Sequence, residues 1–405
     1  MAFNRKHLIT RQPVLTSKAE VEFFCLSMVE SSHDVLMPFM LKLTNIDEPE
    51  IGYFIPTTWV DDAVLLVKLA PGTVLTTSAS MLGRGIADIA KQRGFRLAAT
   101  LRPTDPRQPG SDFTLVPFRD RYIEDGGAEE ELLELHVPGT VDQHAPAPSK
   151  TADAPANTIR NRILAGVNTR ADLGLVKDDE ANAYFMGDFF QDCPIAEKGK
   201  LVVQPAHAVI LEMMAAVQNE ADPKVLDEIA KKDVTLSFKL LRFVNSASFG
   251  LSRRVESVRQ AATILGYDQL LKWLSLLAIT AGSGASPALT LTAMTRAKLM
   301  ELLGKHMDRK EQDNLFITGM FSMLDRIMGI SLEQVLSHIN LPGNVTDALL
   351  NGEGKYRRFL DLAMTCEGMV LPEDETFSDL DIKNVNAAHL DAIEWAAKLA
   401  KAGNG

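Results

Sequence analysis

The first half of the chain alternates short apolar runs with turn-forming residues, and this pattern predicts strands. The runs before residue 200 are four to nine residues long and lie at His7–Leu15, Val21–Leu26, Ile51–Thr57, Thr73–Thr77, Phe95–Leu101, Phe113–Pro117, Arg162–Val167 and Ala183–Phe190. An amphipathic helix is predicted at Leu82–Arg93, where Gly94 is suited to end it. Strands that alternate with helices favour a mostly parallel sheet covered by helices, and eight such strands would suit a closed α/β barrel.

In the second half of the chain, apolar residues recur with the period of an α-helix instead. The predicted helices are separated by Gly, Pro or Asn, and Pro223 after Asp222 is typical of a helix start. They are Pro205–Gln218, a helix from Asp222, Asp233–Ser248, Ser257–Leu265, Tyr267–Ala281, Leu289–Met307, Asp313–Met328, Ser331–His338, Tyr356–Cys366 and Asn386–Lys401. We therefore expect an all-α domain after the α/β domain.

These changes of pattern predict the domain organisation. Residues 1–194 form the α/β domain, 195–204 a connector, 205–370 the helical domain and 371–405 a C-terminal helical tail. The Pro-rich and Ala-rich residues 138–157 read as an exposed, mobile insert, either a tether or a binding segment. The connector is short and has apolar residues at Ile195, Leu201 and Val202, so we expect the two domains to pack as one unit.

Charge and cysteine usage narrow the function class. The 405 residues include 42 Lys and Arg against 53 Asp and Glu, a net charge of −11, which disfavours direct nucleic-acid binding. Three cysteines without a CxxC spacing fit a reducing compartment. Met1 to Thr10 lacks the apolar core of a signal peptide, and Leu270 to Ala281 is too short to span a bilayer. We expect a cytoplasmic protein with no membrane contact.

Two segments of the helical half resemble a known family. Leu240 to Leu277 reads LLRFVNSASFGLSRRVESVRQAATILGYDQLLKWLSLL and is similar to the core of the HDOD domain, a helical module related to HD-type metal phosphohydrolases. Asn314 to Gly368, with LFITGMFSMLDRIMG, SLEQVL and FLDLAMTCEG, resembles the C-terminal part of that domain in the bacterial EAL–HDOD signalling proteins. The resemblance implies a shortened, degenerate EAL-type (β/α) barrel followed by an HD-like helical HDOD domain.

Active EAL barrels cleave the bacterial second messenger cyclic di-GMP with two metal ions, and the resemblance allows their ligand positions to be located here. Arg11 to Val14 is similar to the family's RQPI start, and Glu22 keeps the acid of the E-x-L element. The family's other metal or catalytic positions carry residues that cannot replace its Asn, Glu, Asp, Lys and Gln side chains: Pro56, Thr76, Thr100, Leu101, Leu115, Asn168 and Met186. We expect no metal there. Glu22 and Arg102 are candidate ligands of a vestigial nucleotide pocket, against the alternative of a scaffold that binds nothing.

The helical half likewise carries other residues where the related HD enzymes have metal ligands. Gly319 to Asp325 resembles the G-L-L-H-D-I-G run of HD enzymes, with Ser322 and Met323 in place of the His–Asp pair. The one literal His-Asp dipeptide, His33-Asp34, lies in the other half and is expected at the surface. His207, His306 and His338 lie on separate helices and are expected to be packed or exposed side chains. The HDOD signature residues are either a helix cap and clamp or a partner contact: Asn245, Ser246, Phe249 and Gly250.

Three functions remain. The favoured one is a non-catalytic signalling scaffold without cofactor that binds other signalling proteins, with homodimer formation left open. The second is a cyclic di-GMP receptor or residual EAL phosphodiesterase that uses the barrel. The third is a regulator acting with nucleic acid, because helical folds of the HD type serve many functions.

Overall fold

The protein is described by a computed structural model that covers residues 3–30, 32–46, 49–56, 59, 69–70, 73–78, 95–100, 113–117, 162–178, 182–194, 205–245, 255–280, 286–339, 341–368, 377 and 379–404. Its backbone contacts divide the chain into two units. The strand unit is Met1–Asp192 with Cys366–Val370 and Thr376–Ala387, and the helical unit is Cys193–Thr365 with Leu371–Glu375 and Ala388–Gly405. This division shares the predicted tail, residues 371–405, between both units.

Eight strands of the strand unit pair in chain order and close into a barrel. They are β1 (Thr10–Leu15), β2 (Val21–Ser27), β3 (Gly52–Pro56), β4 (Val74–Ser78), β5 (Arg96–Thr100), β6 (Phe113–Pro117), β7 (Arg162–Ala165) and β8 (Asn182–Met186). The first strand is antiparallel to β2 and β8, whereas the pairs from β2 to β8 are parallel. Each overlaps one of the predicted strands. The last prediction ran too far, because Phe189–Gln191 forms a 3₁₀ turn.

Helices of the strand unit are described at two places. Helix α1 (His33–Leu43) follows β2, and α2 (Arg170–Val176) follows β7. A capping box starts α2, where Thr169 accepts from the backbone of Asp172 and the Asp172 carboxylate accepts from the backbone of Thr169. The helix predicted at Leu82–Arg93 and the insert at 138–157 lie outside the described residues.

The barrel interior is filled by apolar side chains. Because side chains of a strand alternate between its two faces, every second residue of a strand points inward. The interior cluster consists of Val14, Phe23, Cys25, Phe54, Val74, Ala98, Ile163, Ala165 and Met186, with Tyr184 packed against it. Phe23 contacts both Phe54 and Tyr184 edge-on, with ring centroids 5.1 and 5.7 Å apart.

C-terminal segments of the chain complete the strand unit at the start of β1. The side chain of Asn386, fully buried, accepts from the amide of Ile9 at 2.9 Å and donates to the carbonyl of His7 at 3.0 Å. The amide of Arg11 donates to the carbonyl of Cys366, and its buried guanidinium lies 3.4 Å from Glu367. Both sets of contacts satisfy polar groups that would otherwise be buried without partners.

Twelve helices of the helical unit are described, several of them short. They are α3 (Pro205–Gln218), α4 (Pro223–Ala230), α5 (Val234–Val244), α6 (Val258–Leu265), α7 (Tyr267–Thr280), α8 (Pro287–Leu303), α9 (Arg309–Phe321), α10 (Leu324–Met328), α11 (Leu332–Leu336), α12 (Gly343–Thr346), which a π-helical turn at Asp347–Asn351 follows, α13 (Arg357–Thr365) and α14 (Ile382–Asn404). The first six residues of α14, 382–387, belong to the strand unit, and the rest of the helix belongs to the helical unit. None of the described helices has both the length and the hydropathy that crossing a membrane needs.

The helical core is built around α7. Every residue of α7 from Leu270 to Ile279 is buried, and α3, α5, α6 and α9 contact this helix. Helices α8 and α9 approach closely at Gly319, where an added Cβ would lie 2.6 Å from the Cα of Ala297. A residue without a side chain is therefore needed at this crossing.

One helix of the prediction is divided in the structure. Asp313–Met328 was expected as a single helix, but α9 ends at Phe321 and α10 begins at Leu324. The Ser322 hydroxyl donates to the carbonyl of Gly319 at 2.7 Å, and Met323 leaves the helical conformation with φ −119° and ψ 3°. The single-helix prediction was wrong because nothing in the local apolar period signals this break.

Candidate functional site

The break between α9 and α10 contains the two residues predicted to replace an HD metal-binding pair. Arg296, on α8 and only 2% exposed, donates through Nη1 to the hydroxyl of Ser322 at 2.7 Å. Met323 is completely buried, and its sulfur lies 3.8 Å from Nη1 of Arg326. We call Arg296, Ser322 and Met323 the junction site. The predicted replacements of the His–Asp pair are thus a hydroxyl bonded to one buried guanidinium and a buried thioether beside another arginine.

The junction site is chemically unsuited to a hard divalent cation. Arginine stays protonated at any physiological pH, so its buried charge repels a second cation at short range. The Ser322 oxygen already accepts a hydrogen bond from that guanidinium, and a thioether is a soft ligand that prefers other metals. Among the described residues, no group of three or more His, Cys, Asp or Glu side chains comes together. The residues at this position do not fit the metal that an HD enzyme requires.

A buried ionic cluster joins the three helices that surround the junction. Lys272 of α7 pairs with Glu301 of α8, and its Nζ lies 3.5 Å from the carboxylate of Asp313 on α9. Lys298 also contacts Glu301, at 2.7 Å, while Gln269 donates to Asp313 at 2.7 Å. We call these five residues the ionic cluster. The bonds match each buried charge with an opposite one, as charges in a low-dielectric interior require.

Aromatic rings connect this cluster to α14. Nζ of Lys272 lies 4.3 Å from the ring centre of Phe316, and Nζ of Lys298 lies 5.4 Å from that of Trp395. The two rings contact each other edge-on, with centroids 5.9 Å apart. Each ammonium is therefore attracted by a ring face as well as by a carboxylate.

Electrostatics set the ionisation of the cluster. Burial lowers the pKa of Lys272, although Glu301 and Asp313 favour its charged form. Burial would raise the pKa of Glu301, but Lys272 and Lys298 together hold that pKa below its ordinary value. Glu301 consequently remains ionised at neutral pH.

Asn245 joins the two ends of the segment that carries the HDOD signature. Its amide nitrogen donates to the carbonyls of Leu241 at 2.8 Å and Val255 at 2.7 Å, and its oxygen accepts from the amide of Val255 at 2.7 Å. These are the bonds of a clamp between the end of α5 and the chain before α6. The other signature residues, Ser246, Phe249 and Gly250, lie outside the described residues.

The structure brings together only some of the residues that the sequence aligned with the ligand positions of an EAL barrel. Cα registers join Pro56 to Thr76 and Thr76 to Ala98, so these three residues share one level of the barrel. Asn168 lies beyond the end of β7, exposed, and accepts from the amide of Asp188 at 3.3 Å. Arg102 and Leu101 lie outside the described residues.

Glu22 does not belong to the interior cluster of the barrel, and its role in a nucleotide pocket stays a prediction. It is exposed, and its neighbour Phe23 belongs to the interior cluster, so the alternation of β2 turns Glu22 outward. Cys25, two residues after Phe23, also points inward. Burial raises the pKa of its thiol to about 12. A thiol kept protonated in this way is a poor metal ligand.

Three exposed apolar side chains lie on neighbouring helices of the helical unit. Val225 of α4, Phe238 of α5 and Ile264 of α6 are exposed, Phe238 to 65%. The three helices contact one another in pairs. A contiguous patch of such side chains, rather than any single one, is what marks a binding surface.

The predicted histidines are dispersed. His33 and Asp34 are exposed at the start of α1, and His306 and His338 are exposed in the helical unit, whereas His207 is buried. Sequence reasoning missed Arg296, because an arginine inside a helix gives no sign that its side chain is buried. It also missed Cys25, although the alternation of Phe23 and Cys25 was a usable signal.

Comparison with known proteins identifies the helical part. The family model of the HDOD domain matches residues 204–336. Uncharacterized protein YuxH of Bacillus subtilis is 28% identical over 181 residues, which cover 44% of each chain. Cyclic di-GMP phosphodiesterase CdgJ of Vibrio cholerae is 34% identical over 182 residues, which cover 44% of this chain and 42% of that protein. The match thus spans less than half of either relative.

A solved structure is also similar. It is an HDOD domain protein of unknown function from Geobacter sulfurreducens, 13% identical, with a TM-score of 0.35 over 50% of this chain and 93% of that one. The family match begins at residue 204, so the resemblance of the strand unit to an EAL barrel stays a prediction. Residues 204–336 of this chain form an HDOD domain.

Proposed function

We propose that this protein is a non-catalytic bacterial signal-transduction scaffold that acts by binding other proteins within a cyclic di-GMP network. The junction site carries the proposal, because Arg296 bonded to Ser322 puts a fixed positive charge where an HD enzyme needs its metal. The link to cyclic di-GMP is supported by the similarity to CdgJ, which is named a cyclic di-GMP phosphodiesterase. The HDOD domain then contributes a binding surface rather than a reaction.

We further propose that the strand unit is a degenerate EAL-type barrel. Eight strands with one antiparallel start, in chain order, support this assignment. The described interior cluster is made of apolar residues and one thiol, and Pro56 and Thr76 share a level of the barrel where the family keeps metal ligands. Cleavage of a phosphodiester by two metals needs several carboxylates, which these residues cannot supply.

Partner proteins would dock on the exposed apolar side chains of α4, α5 and α6. Phe238 is the largest of the three and the most exposed, and aromatic side chains supply much of the energy of protein interfaces. The proposal assigns no role to nucleic acid, because the net charge of −11 opposes phosphate binding.

A site-specific cross-linking experiment tests this function. A photo-reactive phenylalanine analogue at position 238 of the full chain is expected to capture a defined protein partner in the native cell, whereas the same analogue at exposed Leu350 is not. Equal capture at both positions, or none at position 238, would argue against the scaffold.

The second candidate is a cyclic di-GMP receptor or residual phosphodiesterase, and one observation favours it. CdgJ, named as such an enzyme, shares 34% identity with 44% of this chain. Equilibrium dialysis of the full chain against labelled cyclic di-GMP separates the two functions. A scaffold retains no nucleotide above a serum albumin control, whereas a receptor binds it in a saturable, stoichiometric manner.

A further inference from the structure

We propose that the contact between α3 and α7 is a pH-sensitive seam, and that His207, buried inside it, is the sensing group. His207 stands in the first turn of α3, the first described helix of the HDOD domain, and is only 2% exposed. One ring N–H donates to the backbone carbonyl of Ala278 near the end of α7. The other ring nitrogen, Nε2, is buried and has no hydrogen-bond partner among the residues that the structure describes.

These surroundings favour the neutral imidazole of His207 over the protonated one. A neutral imidazole needs one acceptor, which Ala278 provides, and leaves a lone pair on Nε2. A protonated imidazole carries a second N–H, which would be buried without an acceptor. Burial accordingly lowers the pKa of His207, while its bond to Ala278 offsets part of that effect.

Charged groups on the neighbouring helices do not offset the penalty. On α7, Lys272 precedes Ala278 by six residues, which is about 9 Å along the helix axis, and it pairs within the ionic cluster. Tyr267 and Asp268 of the same helix lie still further from Ala278. On α3 itself, Glu212 is exposed and pairs with Lys232 at 2.6 Å.

Helix α4 also contacts α3, and its charges are engaged elsewhere. Glu228 pairs with Lys231 at 2.5 Å, Asp227 lies 4.0 Å from Arg259, and Lys224 is exposed. Among these described groups, none is placed to neutralise a histidine cation at position 207.

The direction of the pH effect follows from linkage. Because the folded protein disfavours the charged ring, the unfolded or opened state binds the additional proton below the ordinary histidine pKa of about 6.5. The seam is therefore fully stable above that pH and weakens as the pH falls through it. If the folded ring takes up no proton in this range, the equilibrium constant for opening rises about tenfold between pH 7.5 and 5.5.

Amide hydrogen exchange of the full chain tests the proposal. After correction for the intrinsic exchange rate at each pH, the protection of α3 is expected to fall about tenfold from pH 7.5 to 5.5. His207→Gln removes the sensing group and is expected to flatten this dependence. His338→Gln, which removes an exposed imidazole of the same unit, keeps it. A dependence that persists in His207→Gln, or that is absent from the wild type, overturns the proposal.

A second measurement needs no variant. Exchange of the imidazole C2 hydrogen, read by mass spectrometry in the peptide that contains His207, reports the titration of that ring in the native chain. The expected midpoint lies below the ordinary histidine value, with slow exchange of the buried ring. A midpoint at or above the ordinary value contradicts the proposal even if His207→Gln does not fold.

Discussion

Arg296 determines what the junction between α9 and α10 can bind. Its buried guanidinium is fixed by the Ser322 hydroxyl at 2.7 Å, so a positive charge lies against one of the two residues predicted to replace the His–Asp pair. A charge in this environment depends on each of its bonds, because water cannot replace them.

Replacing Arg296 tests how much this charge contributes to the fold. Arg296→Met leaves Ser322 without its donor, and we expect the free energy of unfolding to fall by about 2 kcal/mol, the usual loss for a hydrogen bond to a charged group. Tryptophan fluorescence during denaturation measures it, since Trp273 and Trp395 belong to the helical unit. Lys310→Ala on the exposed side of α9 is the control and should change little. An equal effect of both variants would refute the role of Arg296.

Gly319 allows the close approach of α8 and α9. Gly319→Ala would bring a Cβ to 2.6 Å from the Cα of Ala297, and backbone cannot move aside as a flexible side chain can. We expect a loss of about 1–3 kcal/mol in denaturation experiments. Gly343→Ala meets no atom within 4 Å and serves as the matched control. Unchanged stability of Gly319→Ala would show that the crossing is looser than described.

At the scale of elements, the ionic cluster joins α7, α8 and α9. Glu301 lies between Lys272 and Lys298 and so compensates both. Its lowered pKa keeps it charged in the folded protein, and its contribution is present above the ordinary carboxyl pKa and is lost as the pH falls through the lowered value.

Glu301→Gln tests this coupling. The variant leaves Lys272 with weaker compensation, and we expect a loss of about 3 kcal/mol at pH 7, typical of a broken buried pair. The difference from the wild type should shrink as the pH falls below the ordinary carboxyl pKa and disappear below the lowered value, where the folded wild-type carboxylate is protonated as well. Denaturation at pH 7 and at acidic pH measures both values, with Glu353→Gln at an exposed site as control. A pH-independent difference would contradict the linkage.

The clamp formed by Asn245 holds the residues between α5 and α6. Asn245→Ala removes three hydrogen bonds, two of them to Val255, and we expect faster proteolytic cleavage within residues 246–254. Asn219→Ala, at an exposed position after α3, is the comparison and should cleave like the wild type. Unchanged cleavage of Asn245→Ala would contradict this role of the Asn245 hydrogen bonds.

Strands and helix starts could be predicted where the local pattern of apolar and capping residues determines them. The runs of apolar residues located all eight strands, and cap residues located helix starts such as Pro223. The break at Ser322 could not be predicted, because it depends on one hydroxyl-to-carbonyl bond. The ionic cluster was equally hidden, since Lys272, Glu301 and Asp313 are separated in sequence and meet only when three helices pack.

At the scale of the whole molecule, the proposal combines a barrel whose described interior is apolar with an HDOD domain whose junction site holds a guanidinium. Neither arrangement supplies the carboxylates that metal-dependent phosphodiester cleavage requires. The proposed scaffold would act by binding, and the exposed Phe238 is the side chain at which we propose that a partner docks.

The most direct test of this account is a hydrolysis assay with the purified full chain, cyclic di-GMP and either Mg²⁺ or Mn²⁺. Chromatography would quantify the linear dinucleotide, with an active EAL enzyme as positive control and a buffer blank. The account predicts no product above the blank and no tightly held metal by elemental analysis of the same sample. Product that increases with protein concentration and elutes with the chain through gel filtration would contradict it.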